Sequence, residues 1–214
     1  ASNKTYDQNN VAAITLADNR VGGDVLTTAY TSATFPDKNV GTGRTVSVSG
    51  ISISGTDAAN YAQNTTTSTT ANITRKTLTV TIAASNKTYD KGTTATVTYS
   101  DDRISGDVFT VSGTPNFSDK NVGTGKTVTA TGIALTGTDS GNYSQNTTAT
   151  TTADISAKNL TITGTYTVTN RQYDATTSAQ GQVTPPLTPG LSAVQGSDDT
   201  TLTGSPTFTF AQAT

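Results

Sequence analysis

Asp37-Lys38-Asn39-Val40-Gly41-Thr42-Gly43-Arg44-Thr45-Val46 returns as Asp119-Lys120-Asn121-Val122-Gly123-Thr124-Gly125-Lys126-Thr127-Val128, a shift of 82 positions from 37 to 119. Working outward, Gly55-Thr56-Asp57 with Asn60-Tyr61 returns at the same shift as Gly137-Thr138-Asp139 with Asn142-Tyr143, and Ile73 and Leu78 return as Ile155 and Leu160. Asn3-Lys4-Thr5-Tyr6-Asp7 returns as Asn86-Lys87-Thr88-Tyr89-Asp90, a shift of 83 from 3 to 86, so one position is lost between the Tyr-Asp and Asp-Lys blocks. Self-similarity at a fixed period marks a chain of repeated supersecondary units. The chain is expected to divide into repeat one over 1–76, which lacks its first strand, repeat two over 77–158, and a partial, divergent repeat three over 159–214. The third copy carries Tyr173-Asp174, an insert-like Pro185-Pro186-Leu187-Thr188-Pro189-Gly190, and Leu202 to Phe208 in place of Val111 to Phe117.

Inside a repeat the apolar residues alternate with period two, the period of a strand. Leu78-Thr79-Val80-Thr81-Ile82 puts its aliphatic side chains on one face and Thr on the other. Ala95 to Tyr99 and Thr127 to Ala130 repeat the pattern, followed after Gly132 by Ile133-Ala134-Leu135. Val108-Phe109, Phe117 and Ala153-Asp154-Ile155 complete seven expected strands, separated by Gly- and Asp/Asn-rich turns. The expected fold is all-β, a tandem of small immunoglobulin-like β-sandwiches in an extended rod. Only Thr74-Arg75-Lys76-Thr77 separates Ile73 from Leu78, with no Gly, Pro or Ser linker, which favours a stiff joint.

Composition narrows the function. There is no Cys and no His, so disulfides, thiolate or imidazole catalysis and Cys/His metal sites are excluded. The 13 % of charged residues and net charge of −2 argue against the basic face that nucleic acid needs. No apolar run approaches the ~20 residues of a membrane-spanning helix. Ala1 to Tyr6 reads as domain sequence, not as a signal peptide. Thr is 51 of the 214 residues, which suits pleated, half-solvated strands rather than a disordered chain.

The four linked blocks resemble the YDG-type, mostly-β glycine-rich tandem repeats of very large secreted bacterial adhesins, including filamentous-haemagglutinin-like ones. The resemblance runs through Tyr89-Asp90 with Gly92-Thr93-Thr94, Asp119 to Lys126, Gly137 to Tyr143, and Thr151 to Ile155. It covers 1 to about 158 well and the remainder weakly. One departure stands out: the Gly of the Tyr-Asp-Gly signature is Gln8, Lys91 and Ala175 in the three copies, which bears on the geometry of the first turn. The resemblance implies an extracellular location, tandem arrays, a spacer or adhesive role and no catalysis.

Several motifs invite a sharper reading. Val122 to Thr127 approaches a phosphate-binding loop, but Lys120 stands where that pattern needs Gly, and the segment leads into a strand; a turn or bulge is the better expectation. Asp57 and Asp139 are expected in Asx-turns. Asp101, Asp102 and Asp107 form the densest carboxylate group and are the candidates for calcium, with Asp198-Asp199 a weaker echo. Tyr6, Tyr89, Tyr173, Tyr61 and Tyr143 recur, as core residues with an edge-bonded hydroxyl. No catalytic, cofactor or metal site is assigned. The expected function is that of spacer modules of a cell-surface or secreted bacterial adhesin. The expected partners are neighbouring repeats of the same long chain, with a glycan or protein surface of a host or the environment beyond them. The alternatives are a ligand-binding module for glycan, ice or calcium, and a strand-complemented subunit that associates head to tail.

Overall fold

The computed structural model describes residues 1–163 together with 167–168, 183–184 and 190–192. The expected Tyr173-Asp174, the Pro-rich insert up to Pro189, Asp198-Asp199 and the Leu202 to Phe208 strand lie outside them. The chain is all-β. Among the described residues the only helices are two single 3-10 turns, Ala58–Asn60 and Ser140–Asn142, and no helix is long and apolar enough to cross a membrane.

The strands are β1 Lys4–Thr5, β2 Thr27–Ala29, β3 Ser32–Thr34, β4 Gly41–Ser49, β5 Ser52–Ser54 and β6 Thr66–Thr74 in the first repeat. The second holds β7 Lys76–Leu78, β8 Val80–Ala84, β9 Lys87–Thr88, β10 Val97–Asp101, β11 Thr110–Phe117, β12 Gly123–Thr136, β13 Tyr143–Gln145 and β14 Thr148–Ser156. Four short strands follow: β15 Thr161–Thr163, β16 Thr167–Val168, β17 Val183–Thr184 and β18 Gly190–Ser192. β15 pairs with β18 and β16 with β17.

By contacts the chain forms two compact units, neither of which is a sequence repeat. The first is Ala1–Ser85, Thr94–Phe117 and Thr127–Thr152; the second is Asn86–Thr93, Ser118–Lys126 and Ala153–Thr214. In the first unit one sheet has the order β1-β6-β4-β3. β4 runs antiparallel to β6, while β1 joins β6 in parallel through Lys4↔Ile73 and Thr5↔Thr74. Val46, Val48 and Ile73 fill the buried face with Phe35. In the same unit β11 pairs with β12, β8 with β10, and β7 in parallel with β13. Leu78, Val80 and Ile82 are buried as the alternation demands, while Thr79 and Thr81 face out. In the second unit Lys87 and Thr88 of β9 pair in parallel with Ile155 and Ser156 of β14.

The Gly-Thr-Gly segments are bulges. Gly41 and Arg44 pair with Ile73 and Ala71, leaving two residues of β4 opposite Asn72 alone. Gly43 takes φ +60 there, and its N–H donates to Asn72 Oδ1 at 2.7 Å. Gly125 has the same φ, and its N–H donates to Asp154 Oδ1 at 2.8 Å. A left-handed Gly in a bulge carries no Cβ penalty, which explains a repeated Gly that binds no phosphate. A second irregularity, between Ser112 and Thr114, lets Thr127–Ala130 and Ile133–Leu135 run as one strand across Gly132 instead of two.

Candidate functional site

The chemistry of the molecule gathers where the two repeats meet, inside the first compact unit. Tyr6 leaves β1 and turns inward, 2 % exposed. Its hydroxyl donates to Asp107 Oδ1 at 2.8 Å. Gln8 Nε2 donates to the same oxygen at 2.8 Å and to Ser105 O at 3.1 Å. Lys38 Nζ reaches Asp107 Oδ1 at 3.0 Å and Asp139 Oδ1 at 2.9 Å. From the second repeat, Tyr143 donates its hydroxyl to Asp107 Oδ2 at 2.6 Å and accepts from Ile104 N–H at 3.0 Å. The second oxygen of Asp139 accepts from Val108 N–H at 2.9 Å. Buried carboxylates survive only when paired and hydrogen-bonded, and both are.

Around these charges the contacts are close and aromatic. The rings of Tyr6 and Tyr143 meet edge to face at 5.6 Å, and Phe109 lies 5.1 Å from Tyr143. Arg103 stacks 3.7 Å over Phe109, donates to Asp101 through Nε and Nη2, and gives Nη1 to Phe109 O. Beside the cluster, buried Asn142 accepts from Val40 N–H at 3.0 Å and donates to Asn39 Oδ1 at 3.1 Å. Arg75 Nε donates to Gly141 O at 3.1 Å. The backbone completes the junction: Lys76–Leu78 pairs with Tyr143–Gln145, and Asn146 bonds Val80 through N–H and C=O, at 2.7 and 3.0 Å.

The electrostatics follow from this crowding. Burial pushes the Asp107 carboxyl up, but donors from Tyr143, Lys38, Tyr6 and Gln8 outweigh it and hold it below the ordinary carboxylate range. Tyr143 is pushed up to about 12, by burial first and then by its bond to Asp107. Bonds to Asp139, Tyr6 and Asp107 hold Lys38 well above an ordinary lysine. Asp107, Tyr143 and Lys38 are each held in their resting protonation state. That suits a clasp rather than acid–base work, which needs a group poised near the working pH.

The Tyr-Asp turn shows why Gln can replace Gly. Gln8 and Lys91 both sit at φ +71, the left-handed region. The turn is kept, at a cost of about 1 kcal/mol for a non-Gly residue, and Gln8 offsets it with its two side-chain bonds across the junction. The carboxylates expected for calcium do not converge. Asp101 pairs with Arg103, Asp102 accepts from Thr79 N–H at 2.7 Å, and Asp107 is filled by four donors. No three acidic side chains gather as a metal site among the described residues. Asp57 and Asp139 do bond backbone N–H, but across to Val25 and Val108 rather than within their own turns. Among the described residues, aspartates that do accept from the N–H two residues on are Asp7, Asp18, Asp37, Asp90, Asp101 and Asp119.

Sequence reasoning placed Tyr6 and Tyr143 in the core but missed Gln8 and the pairing of Lys38 with Asp107. The signal was present in Gly23-Asp24-Val25 and Gly106-Asp107-Val108, a Gly-Asp-Val triplet that returns at a shift of 83.

The model of the YDG domain matches residues 1–70 and again 74–153. The chain belongs to the YDG domain family. No curated protein and no solved structure matches it. Within the YDG stretches lie every residue of the clasp from Tyr6 to Tyr143, and the signature Tyr-Asp pair supplies its first member. In the first repeat the Tyr-Asp pair therefore supplies a junction residue.

Proposed function

We propose that the chain is a run of structural spacer modules, 1–76, 77–158 and 159–214, from a secreted or surface-anchored bacterial adhesin. The modules are immunoglobulin-like, form a stiff rod that carries a binding head away from the cell, and catalyse nothing. Neighbouring repeats of the same chain are the main partners. The observation that carries the reading is the clasp: Tyr6, Gln8 and Lys38 of one repeat close on Asp107 and Asp139 of the next. A joint held by ion pairs to buried carboxylates, a shared strand pairing and no flexible linker resists bending. Exposed Thr on β6 keeps a long chain solvated, and a Cys-free sequence needs no oxidative folding on export.

Small-angle X-ray scattering of the full chain, in calcium and again in chelator, tests this. A maximum dimension near ~100 Å, as three strand-length units in line require, is expected in both. A compact particle, or one that changes on chelation, favours the ligand-binding alternative.

A further inference from the structure

The segment Lys76–Ala84 does more than join the repeats. It fills a slot in the second one. β7 pairs with Tyr143–Gln145 on one side, β8 pairs with Val97–Asp101 on the other, and Asn146 clamps Val80 between them. Leu78 and Val80 are 1 % and 2 % exposed in that slot. In the first repeat no described strand occupies the corresponding place. Tyr61–Gln63, the counterpart of Tyr143–Gln145, is in no strand, and neither is 14–18, the counterpart of Val97–Asp101. Between them lies a groove of about 410 Å³ lined by Ala17, Leu26, Ile53, Tyr61, Gln63 and Asn64. Leu26 and Tyr61 are half-exposed, where their counterparts Phe109 and Tyr143 are buried. Asn64 holds the bond to Thr66 O that Asn146 makes to Thr148 O, so its amide is already oriented for a clamp.

We infer that this groove is a strand-docking site, and that its occupant is the joining strand of a neighbouring YDG unit. The occupant is an extended segment with the Leu-x-Val-x-Ile alternation of 78–82. The chemistry is strand addition: main-chain bonds give affinity and alternate apolar side chains fill the pockets. A second intact copy of this chain is a poor donor, because its own Lys76–Ala84 is already paired.

The test adds a fluorescent synthetic peptide of the sequence Arg75–Ala84 to the full chain. Saturable one-to-one binding is expected, with slowed amide exchange at Tyr61–Gln63. A peptide carrying Leu78→Asp and Val80→Asp should bind at least about tenfold more weakly, since both aliphatic side chains lose their burial in the groove. In a second arm the ten residues are fused directly before Ala1; the fusion should raise the unfolding midpoint and the Asp-substituted fusion should not. No binding and no gain in midpoint, equal binding of the Asp peptide, or a dimer of the chain alone that the peptide fails to dissociate would each overturn the proposal. An empty groove would leave the spacer reading standing, because scattering tests that separately.

Discussion

The two copies of one socket differ in what reaches them. In the second repeat, Asp107, Asp139 and Tyr143 are buried and closed by Tyr6, Gln8 and Lys38. In the first, Asp24, Asp57 and Tyr61 keep every bond internal to the repeat: Tyr61 donates to Asp24 and accepts from Val21 N–H, Asp57 accepts from Val25 N–H, and Arg20 pairs with Asp18. Yet all three stay half-exposed. The socket is thus built by each repeat alone, and only its burial depends on the neighbour. Local sequence sets the geometry; the junction sets the energetics.

The sharpest way to break this comparison is to remove the same carboxylate from both sockets. Asp107→Ala takes the acceptor from two buried tyrosine hydroxyls and leaves Lys38 with Asp139 alone, and should cost about 3 kcal/mol in chemical denaturation, as for buried donors left unsatisfied. Asp24→Ala should cost about 1 kcal/mol, the worth of one hydrogen bond. Equal losses would mean that the clasp contributes nothing beyond each repeat's own bonds.

Titration probes the second socket next. The Tyr143 value is raised from 10.0 to about 12 in the folded protein. Its contribution is whole below pH 10 and lost as pH rises towards 12. Asp107 is lowered from 3.8, so its contribution is whole above that value and lost as pH falls below it. Unfolding followed against pH should show both flanks, and tyrosine absorbance should resolve a late-ionising phenol that Asp107→Ala moves back towards 10.

How much of this was legible follows from the physics. The period-two alternation of Leu78–Ile82 marks burial because a strand shows alternate faces, and that reading holds. The parallel pairing of Lys4 with Ile73 involves two residues and leaves no pattern in the sequence. Asp101, Asp102 and Asp107 look like one cluster because they are near in sequence. In the fold each carboxylate meets a different donor, and two of the four donors to Asp107 come from about a hundred residues away: Tyr6 and Gln8. A sequence displays its acids but not the distant hydroxyls that neutralise them. Gln8 is hidden for a further reason: it breaks the Gly rule of its turn and is retained by contacts outside that turn.

Smaller substitutions sharpen the comparison. Tyr6→Phe removes one donor from buried Asp107 and should cost about 1–2 kcal/mol, while Tyr61→Phe at the open socket should cost less. Gln8→Gly relieves the left-handed backbone but loses two bonds, so the net change should be small; Gln8→Ala loses the bonds and keeps the strain, and should lie about 1 kcal/mol below Gln8→Gly. Denaturation midpoints of the four variants check both pairs.

The most direct test of a locked junction is the distance across it. The chain has no Cys, so spin labels at Thr69→Cys and Thr150→Cys, both on exposed strand positions, report one pair of sites by pulsed electron resonance. A single narrow distance distribution that broadens in Asp107→Ala is predicted. A broad distribution in the otherwise unaltered chain, or one that Asp107→Ala leaves unchanged, would contradict the account.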